Sequence, residues 1–206
     1  MRILFQGDSI TDCGRDWGND SQLGRGYAHL VSAYLGYKEP GEHTFVNKGI
    51  SGNRIVDLYA RIKRDIINYK PDVMSILIGV NDVWHEIGDS PNGVDADKFF
   101  KIYSMLIEEI KEALPEIKIM ILEPFVLEAS ATEANWEFFK TETKKRAQMS
   151  KKIAEKYNLP FIELQNGFDE LAKKAENSYW LGDGVHPTAA GHEFIKNEWL
   201  KAYENL

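Results

Sequence analysis

Five residues that lie far apart in the chain have the chemistry that acyl transfer requires: Ser9, Gly52, Asn81, Asp183 and His186. A serine hydroxyl is a weak nucleophile until a base removes its proton, and an imidazole titrates near neutrality and can serve as that base. Asp183 precedes His186 by three residues, close enough to accept from the other ring nitrogen and fix the tautomer. The backbone N–H groups of Ser9 and Gly52 and the Asn81 amide are candidate donors to an oxyanion.

Each of these residues also has an ordinary structural interpretation when it is considered alone. Asp8 or Ser9 could merely cap a helix that follows, as both residue types often do. A lone histidine such as His186 is usually a surface residue when it lies in a loop. An asparagine after a strand, such as Asn81, usually forms a turn, and a glycine such as Gly52 usually permits a bend.

The element that must position Ser9 is a short apolar strand that includes Ile3, Leu4 and Phe5 and stops at Gly7. Glycine permits a sharp turn, so the strand can end there and present Ser9 at its carboxyl end. In an open parallel α/β sheet, ligands bind at that edge. The position of Ser9 therefore fits a nucleophile as well as a cap.

The rest of the chain alternates between strand and helix patterns. Further strands are predicted at 43–46, 72–78, 117–122 and 160–164. Helices are predicted at 27–34 and 55–66, after Asp95, from Trp136 to Tyr157, around 168–174 and at the end of the chain. A long loop that contains Trp84 is predicted after Asp82. This alternation implies right-handed crossovers and a parallel sheet. We therefore predict an α/β fold, a three-layer α/β/α sandwich with five parallel strands, in which residues 1–206 form a single domain.

The composition limits the classes of partner and compartment. A net charge of -7 argues against a surface for nucleic acid or for an anionic membrane. No apolar run approaches the roughly 20 residues that cross a bilayer. Cys13 is the only cysteine, so no intrachain disulfide or cysteine-based zinc cluster can form. Because Met1 and Arg2 lead directly into the first strand without a secretory signal pattern, we expect a cytoplasmic protein.

Four motifs of the chain resemble those of the SGNH, or GDSL-type, hydrolases. The motifs are Gly7-Asp8-Ser9-Ile10-Thr11, Gly49-Ile50-Ser51-Gly52, Gly79-Val80-Asn81-Asp82 and Asp183-Gly184-Val185-His186-Pro187. They occur in the family's order and span residues 5 to 187. In residues 8–15 and 78–84 the sequence looks most like bacterial carbohydrate acetylesterases, including acetylxylan esterases.

This resemblance implies a flavodoxin-like sandwich and a hydrolase that cleaves esters through an acyl-enzyme, without a metal ion or a cofactor. It assigns the catalytic triad to Ser9, Asp183 and His186. It assigns the oxyanion hole to Ser9, Gly52 and Asn81. The expected substrate is a small-molecule or oligosaccharide ester, such as an acetylated xylo-oligosaccharide, and the sequence leaves open a homo-oligomer.

Four aromatic residues fall in or beside the predicted rim loops: Trp84, Phe125, Tyr179 and Trp180. A flat apolar ring can stack on the face of a pyranose, although large aromatic residues mostly fill space against a core. We expect two of the four at the substrate, and we assign substrate binding to Trp84 and Trp180.

Three other functions compete with a carbohydrate esterase. A lysophospholipase or thioesterase of the same family would need an apolar groove for a long acyl chain, but residues 83–97 are mostly polar. A non-catalytic carbohydrate-binding protein would tolerate the loss of Ser9 or His186, and both are present. A metal-dependent phosphatase would use Asp8, Asp12 and Asp82 as ligands.

Overall fold

A sheet of five parallel strands forms the centre of the structure, a computed structural model that describes residues 1–206. The strands are β1 (Arg2–Gly7), β2 (Thr44–Asn47), β3 (Val73–Leu77), β4 (Lys118–Leu122) and β5 (Phe161–Ile162). They lie in the order β2-β1-β3-β4-β5, and every neighbouring pair is parallel. The predicted α/β fold with five parallel strands is confirmed. Because the strand order reverses between β1 and β3, ligands are expected at the carboxyl ends of these two strands.

Ten α-helices and two single turns of 3₁₀-helix connect the strands. The α-helices are α1 (Ser9–Asp12), α2 (Tyr27–Lys38), α3 (Ile55–Ala60), α4 (Ile62–Asp65), α5 (Val80–Trp84), α6 (Ala96–Ala113), α7 (Trp136–Tyr157), α8 (Gln165–Ala172), α9 (Asn177–Trp180) and α10 (Ala189–Tyr203). The 3₁₀ turns are Ile67–Tyr69 and Glu133–Asn135. None of the helices combines the length and the apolar character that crossing a bilayer requires.

The sheet divides the apolar core into two layers, as the continuous apolar run of β3 predicts for a strand buried on both faces. Successive side chains of a strand point to opposite faces. Val73 and Leu77 therefore pack in a cluster of 25 buried residues that α2 and α10 cover. Met74 and Ile76 pack in the opposite cluster of 19, which α3 and α6 cover. These two layers of helices and the sheet form the three-layer sandwich.

Two segments differ from the prediction. The single helix expected over 55–66 is divided into α3 and α4 at Arg61, whose φ of -112° and ψ of 13° are not helical. The buried Arg61 guanidinium donates to the backbone oxygen of Lys48 at 2.8 Å, which draws the chain toward the end of β2. The expected end of the third strand at 79–82 and the start of the expected loop form instead the short helix α5, which has Trp84 on its last turn.

Candidate active site

Close packing at the end of β1 explains why a glycine occupies position 7. A Cβ atom on Gly7 would lie 2.4 Å from both Leu77 O and Thr11 Oγ1, so a side chain there would separate β1 from its neighbours. The carbonyl oxygen of Gly7 accepts from Ile50 N–H at 3.1 Å and from Arg61 Nη2 at 3.2 Å. These contacts fix the turn that follows the strand.

Ser9 is the first residue of α1 and faces His186 at the carboxyl edge of the sheet. The Asp8 side chain accepts from Ile10 N–H at 3.0 Å and so caps this helix. Ser9 Oγ lies 2.9 Å from His186 Nε2. Asp8 supplies the cap, which leaves the Ser9 hydroxyl free to contact the imidazole. After one turn the helix ends at Cys13, which has a left-handed φ of 37°.

Asp183 and His186 lie in the loop between α9 and α10 and contact each other twice. His186 Nδ1 lies 2.7 Å from Asp183 Oδ2. Asp183 Oδ1 accepts from the backbone N–H groups of Val185 at 2.9 Å and of His186 at 2.8 Å. Burial opposes ionisation of Asp183, but the hydrogen bonds from His186 and Val185 outweigh it and lower the pKa of Asp183. The carboxylate keeps the proton on Nδ1, so Nε2 can accept from Ser9.

A second loop, residues 127–132, holds the loop that carries Asp183. Ala131 N–H donates to Asp183 O, and Leu127 N–H donates to Gly184 O, both at 2.9 Å. Gly184 has a φ of 99°, and a Cβ atom there would lie 2.5 Å from Leu127 O. Only a glycine allows the two loops to approach this closely.

The three predicted oxyanion donors follow different strands and meet at the same edge. Asn81 is 6% exposed, and its Nδ2 donates to Asn53 O at 3.2 Å, which joins α5 to the loop that carries Gly52. The backbone N–H groups of Ser9 and Gly52 donate to no other protein group. With the second amide hydrogen of Asn81, three N–H donors at this edge are without a protein acceptor.

Trp84 lies against the imidazole at the end of α5. The ring centroids of Trp84 and His186 are 6.1 Å apart with an angle of 45° between the planes. Phe139 contacts the indole edge to face, with centroids 5.6 Å apart. Trp84 is therefore held beside the Ser9–His186 pair.

The other aromatic residues of the predicted rim occupy different positions. Trp180 pairs with Tyr179 at a centroid distance of 4.8 Å rather than with the triad, and its Nε1 is buried without a hydrogen-bond partner. Tyr179 is exposed. Phe125 is 0% exposed and packs against Phe168 at 4.5 Å, so its ring is part of the core and cannot stack on a sugar.

Two carboxyl groups, Asp8 and Asp82, are buried beneath the site. Asp8 is 1% exposed and its Oδ2 has no hydrogen-bond partner. Burial raises the pKa of Asp8 to about 7, against the opposing effects of the Ile10 N–H and of His186. Burial also raises the pKa of Asp82 well above its usual range, although Asp82 accepts from Ile55 N–H at 3.0 Å. The nearby charge of Asp8 acts in the same direction on Asp82.

We expect Asp8→Asn to reduce the loss of stability between pH 5 and pH 8. In this range an unfolded aspartate is ionised while folded Asp8 retains its proton up to about pH 7, so the free energy of unfolding falls as the pH rises. Between pH 5 and pH 8 this loss amounts to at most about 3 kcal/mol, since the pKa of folded Asp8 lies about two units above pH 5 and each unit corresponds to about 1.4 kcal/mol. Asparagine keeps an oxygen for Ile10 N–H and cannot ionise.

Urea denaturation of the wild type and of Asp8→Asn at pH 5 and pH 8 measures this effect. Asp89→Asn, at an exposed aspartate, is the matched control and should follow the wild type. Equal pH slopes for wild type and Asp8→Asn would contradict the prediction.

The three carboxylates of the phosphatase alternative have separate structural partners. Asp12 Oδ2 accepts from the N–H and the Oγ of Ser51, both at 3.2 Å. Asp8 and Asp82 accept from backbone N–H groups of α1 and α3. No group of three or more His, Cys, Asp or Glu side chains is arranged to hold a metal ion. The three aspartates position loops and do not converge on one point.

A comparison with protein families identifies the family of the chain. The model of the GDSL-like Lipase/Acylhydrolase family matches residues 5–194. The chain belongs to this family. Membership of this family and the similarity to an acetylxylan esterase show that the protein is a carboxylic ester hydrolase.

Relatives of this GDSL-family chain are similar over nearly its whole length. An acetylxylan esterase from Geobacillus stearothermophilus is 36% identical over 208 residues, which cover 97% of this chain and 92% of that protein. The crystal structure of that organism's acetylxylan esterase Axe2 superposes with a TM-score of 0.84 at 35% identity, over 98% of this chain and 93% of the other. A protein described as a GDSL-like lipase, from Parabacteroides merdae, superposes with a TM-score of 0.93 at 36% identity, over 98% and 95%.

Sequence reasoning misses two features that position the candidate site residues. The contact between loop 127–132 and the Asp183 loop left no signal in the sequence, because it is made by backbone groups. The sequence indicates Asp12 only as a candidate metal ligand, whereas in the structure it links Ser51 to α1. Asp12 follows Asp8 by four residues, which places both side chains on one face of a helical turn. This spacing is the sequence signal for a structural role of Asp12 in that turn.

Proposed function

We propose that Ser9, His186 and Asp183 hydrolyse an acyl ester in two steps through an acyl-enzyme. His186 Nε2 takes the proton from Ser9 Oγ as this oxygen attacks the acyl carbon, and it then donates the proton to the leaving alcohol as the C–O bond breaks. A water molecule next loses a proton to Nε2 and attacks the acyl carbon, which releases the acid and restores the Ser9 hydroxyl. The observation that carries the proposal is the continuous line of contacts, 2.9 Å from Ser9 to His186 and 2.7 Å from His186 to Asp183.

Three solved structures of Axe2 support this assignment. They are described as catalytic mutants, in which an aspartate, a serine and a histidine are each replaced by alanine. These structures are 34–35% identical to the present chain. The three residue types are those that lie in line here.

We assign the oxyanion hole to the backbone N–H groups of Ser9 and Gly52 and to the Asn81 side-chain amide. The charge on the carbonyl oxygen develops only as Ser9 attacks, so donors fixed in advance stabilise the transition state more than the bound ester. The hydrogen bond from Asn81 to Asn53 O supports this role, because it holds the amide in one orientation.

The proposed substrates are acetyl esters of xylo-oligosaccharides. The support is that a relative 36% identical over 97% of this chain is an acetylxylan esterase, and that two Axe2 structures are described as an acetyl-xylooligosaccharide esterase. Trp84, beside His186, offers an apolar ring to a pyranose face. We assign a second substrate contact to Trp180, the last residue of α9, which precedes the loop that carries Asp183.

The remaining expectations concern organisation and location. We propose that residues 1–206 act as a single hydrolase domain, since both apolar layers pack on one sheet. The reaction written above uses no metal ion or cofactor. A cytoplasmic location and a homo-oligomer stay predictions.

The test of the substrate class is a comparison of kcat/KM for acetyl, butyryl and octanoyl 4-nitrophenyl esters and for acetylated xylobiose. We expect the acetyl ester to be the best of the three nitrophenyl esters and acetylated xylobiose to be cleaved. One misplaced methylene in a small pocket costs about 1–3 kcal/mol, so butyryl ester should be at least about tenfold slower.

Two outcomes would favour other functions. If the octanoyl ester gives the highest kcat/KM, the lysophospholipase or thioesterase alternative replaces the sugar esterase. If the protein binds xylo-oligosaccharides and cleaves none of the four esters, the non-catalytic alternative is correct.

A further inference from the structure

Trp17 is an exposed aromatic residue that the proposed reaction does not use. It lies between α1 and α2, and 60% of its surface is exposed. Exposure of so large an apolar surface to water is unfavourable, and a ligand that covered the ring would gain binding free energy. A single exposed apolar residue is common, so the inference depends on how this ring is held and what surrounds it.

The indole of Trp17 is fixed at its polar edge and on one face. Its Nε1 donates to Asp12 Oδ2 at 3.3 Å. The guanidinium of the buried Arg15 lies 5.2 Å from the ring centroid, within the range of a cation–π contact. Arg15 is itself held by the bond from its Nε to Gly49 O at 2.7 Å. The ring therefore has a set orientation before any ligand arrives, and the exposed side remains free.

The contacts that hold Trp17 lead to the loop that carries Gly52. The Asp12 oxygen that accepts from the indole also accepts from the N–H and the Oγ of Ser51, the residue before Gly52. Arg15 contacts the same loop at Gly49. Trp17 is thus attached by two independent contacts to the loop that presents a proposed oxyanion donor.

A surface cleft of about 310 Å³ lies beside the ring, and its lining includes Trp17, Arg15, Lys48, Ile50, Arg64 and Tyr69. This volume is at the lower end of the about 300–1,000 Å³ of ligand pockets. Two basic groups of the cleft are paired with carboxylates, Lys48 with Asp20 at 2.6 Å and Arg64 with Asp65 at 2.8 Å, whereas the Arg15 guanidinium lies against the indole. An aromatic ring surrounded by fixed hydrogen-bonding groups suits a neutral sugar, which offers hydroxyl groups and an apolar C–H face.

We propose that Trp17 and this cleft form a second sugar subsite, which binds a neutral pyranose of the oligosaccharide away from the ester being cleaved. The proposal rests on the proposed function, because it extends the binding of a xylo-oligosaccharide beyond the triad. It predicts that Trp17 contributes to the binding of longer oligosaccharide substrates and does not contribute to the binding of a substrate without a sugar.

The experiment compares Trp17→Ala, Trp17→Phe and wild type on acetylated xylotetraose and on 4-nitrophenyl acetate. The measured quantity is the ratio of the two kcat/KM values. We expect Trp17→Ala to lower this ratio by about twofold to twelvefold, mainly through KM, since an aromatic contact is worth about 0.5–1.5 kcal/mol. Trp17→Phe should lower the ratio less than Trp17→Ala, because phenylalanine keeps an aromatic ring at this position. Tyr37→Ala, at a residue of α2 that is 88% exposed, is the matched control and should leave the ratio unchanged.

An unchanged ratio in Trp17→Ala would overturn the subsite. If both kcat/KM values fall equally, so that the ratio stays the same, Trp17 supports the structure of the loop instead. If the wild type cleaves 4-nitrophenyl acetate and no acetylated sugar, the proposed substrate class is wrong. The subsite is then tested by calorimetric titration of unacetylated xylotetraose into the Ser9→Ala protein with and without Trp17→Ala. Equal affinities in that titration would overturn it, and weaker binding without the indole would support it.

Discussion

Ser9→Ala is expected to lower kcat by about six orders of magnitude and to leave the binding of a xylo-oligosaccharide intact. The Ser9 oxygen is the only group within hydrogen-bond reach of His186 Nε2, so no other side chain can form the acyl-enzyme. In a serine triad, loss of the nucleophile alone costs about as much as loss of all three residues, about 10⁶ in kcat. Steady-state hydrolysis of 4-nitrophenyl acetate and calorimetric binding of xylotetraose measure the two quantities separately.

A serine-directed phosphonate provides the control for this prediction. Mass spectrometry should find one adduct, on Ser9, in the wild type and none in Ser9→Ala. Ser178→Ala, at an exposed serine of α9, should keep full activity and the adduct. An adduct on another residue, or a loss of activity below tenfold in Ser9→Ala, would exclude Ser9 as the nucleophile.

The strands could be predicted from the sequence because a short, continuous apolar run is typical of a strand in the centre of a parallel sheet. Ile76 and Leu77 belong to opposite core layers, and a strand buried on both faces produces a continuous apolar run. The proposed site could be predicted for a related reason. Residues that follow parallel strands reach the same edge wherever they lie in the chain, so Ser9 and Asn81 could be brought together without knowledge of any contact.

The direction of each side chain could not be predicted in this way. Trp84 and Phe125 both follow strands, yet Trp84 contacts His186 and Phe125 is buried against Phe168. The difference arises because α5 begins at once after Gly79, which sets the rotation of Trp84, and no periodic pattern in the sequence marks so short a helix. The raised pKa of Asp8 also depends on burial by distant segments, which a local motif does not reveal.

Asp183→Asn is expected to lower kcat by about 10⁴ while the loop keeps its structure. The oxygen that accepts from the Val185 and His186 N–H groups can remain in place as the amide oxygen. The amide nitrogen then replaces the oxygen that lies 2.7 Å from His186 Nδ1, and it donates a hydrogen bond where the carboxylate accepted one. The proton of the neutral imidazole moves to Nε2, which can no longer accept from Ser9, and the same change in a serine triad costs about 10⁴.

Comparison with Asp183→Ala separates this electronic role from a structural one. Alanine removes the acceptor for Val185 and His186 N–H as well as the contact to the ring, so it should lower the melting temperature, whereas asparagine should leave it close to the wild type. Nitrogen-15 NMR of the His186 ring reports the tautomer directly, and we expect the proton on Nε2 in Asp183→Asn and on Nδ1 in the wild type. If Asp183→Asn retains kcat within tenfold of the wild type with the tautomer changed, Ser9 does not depend on His186 as its base. If the tautomer stays the same and kcat falls, Asp183 acts through its charge on the imidazolium rather than through the position of the proton.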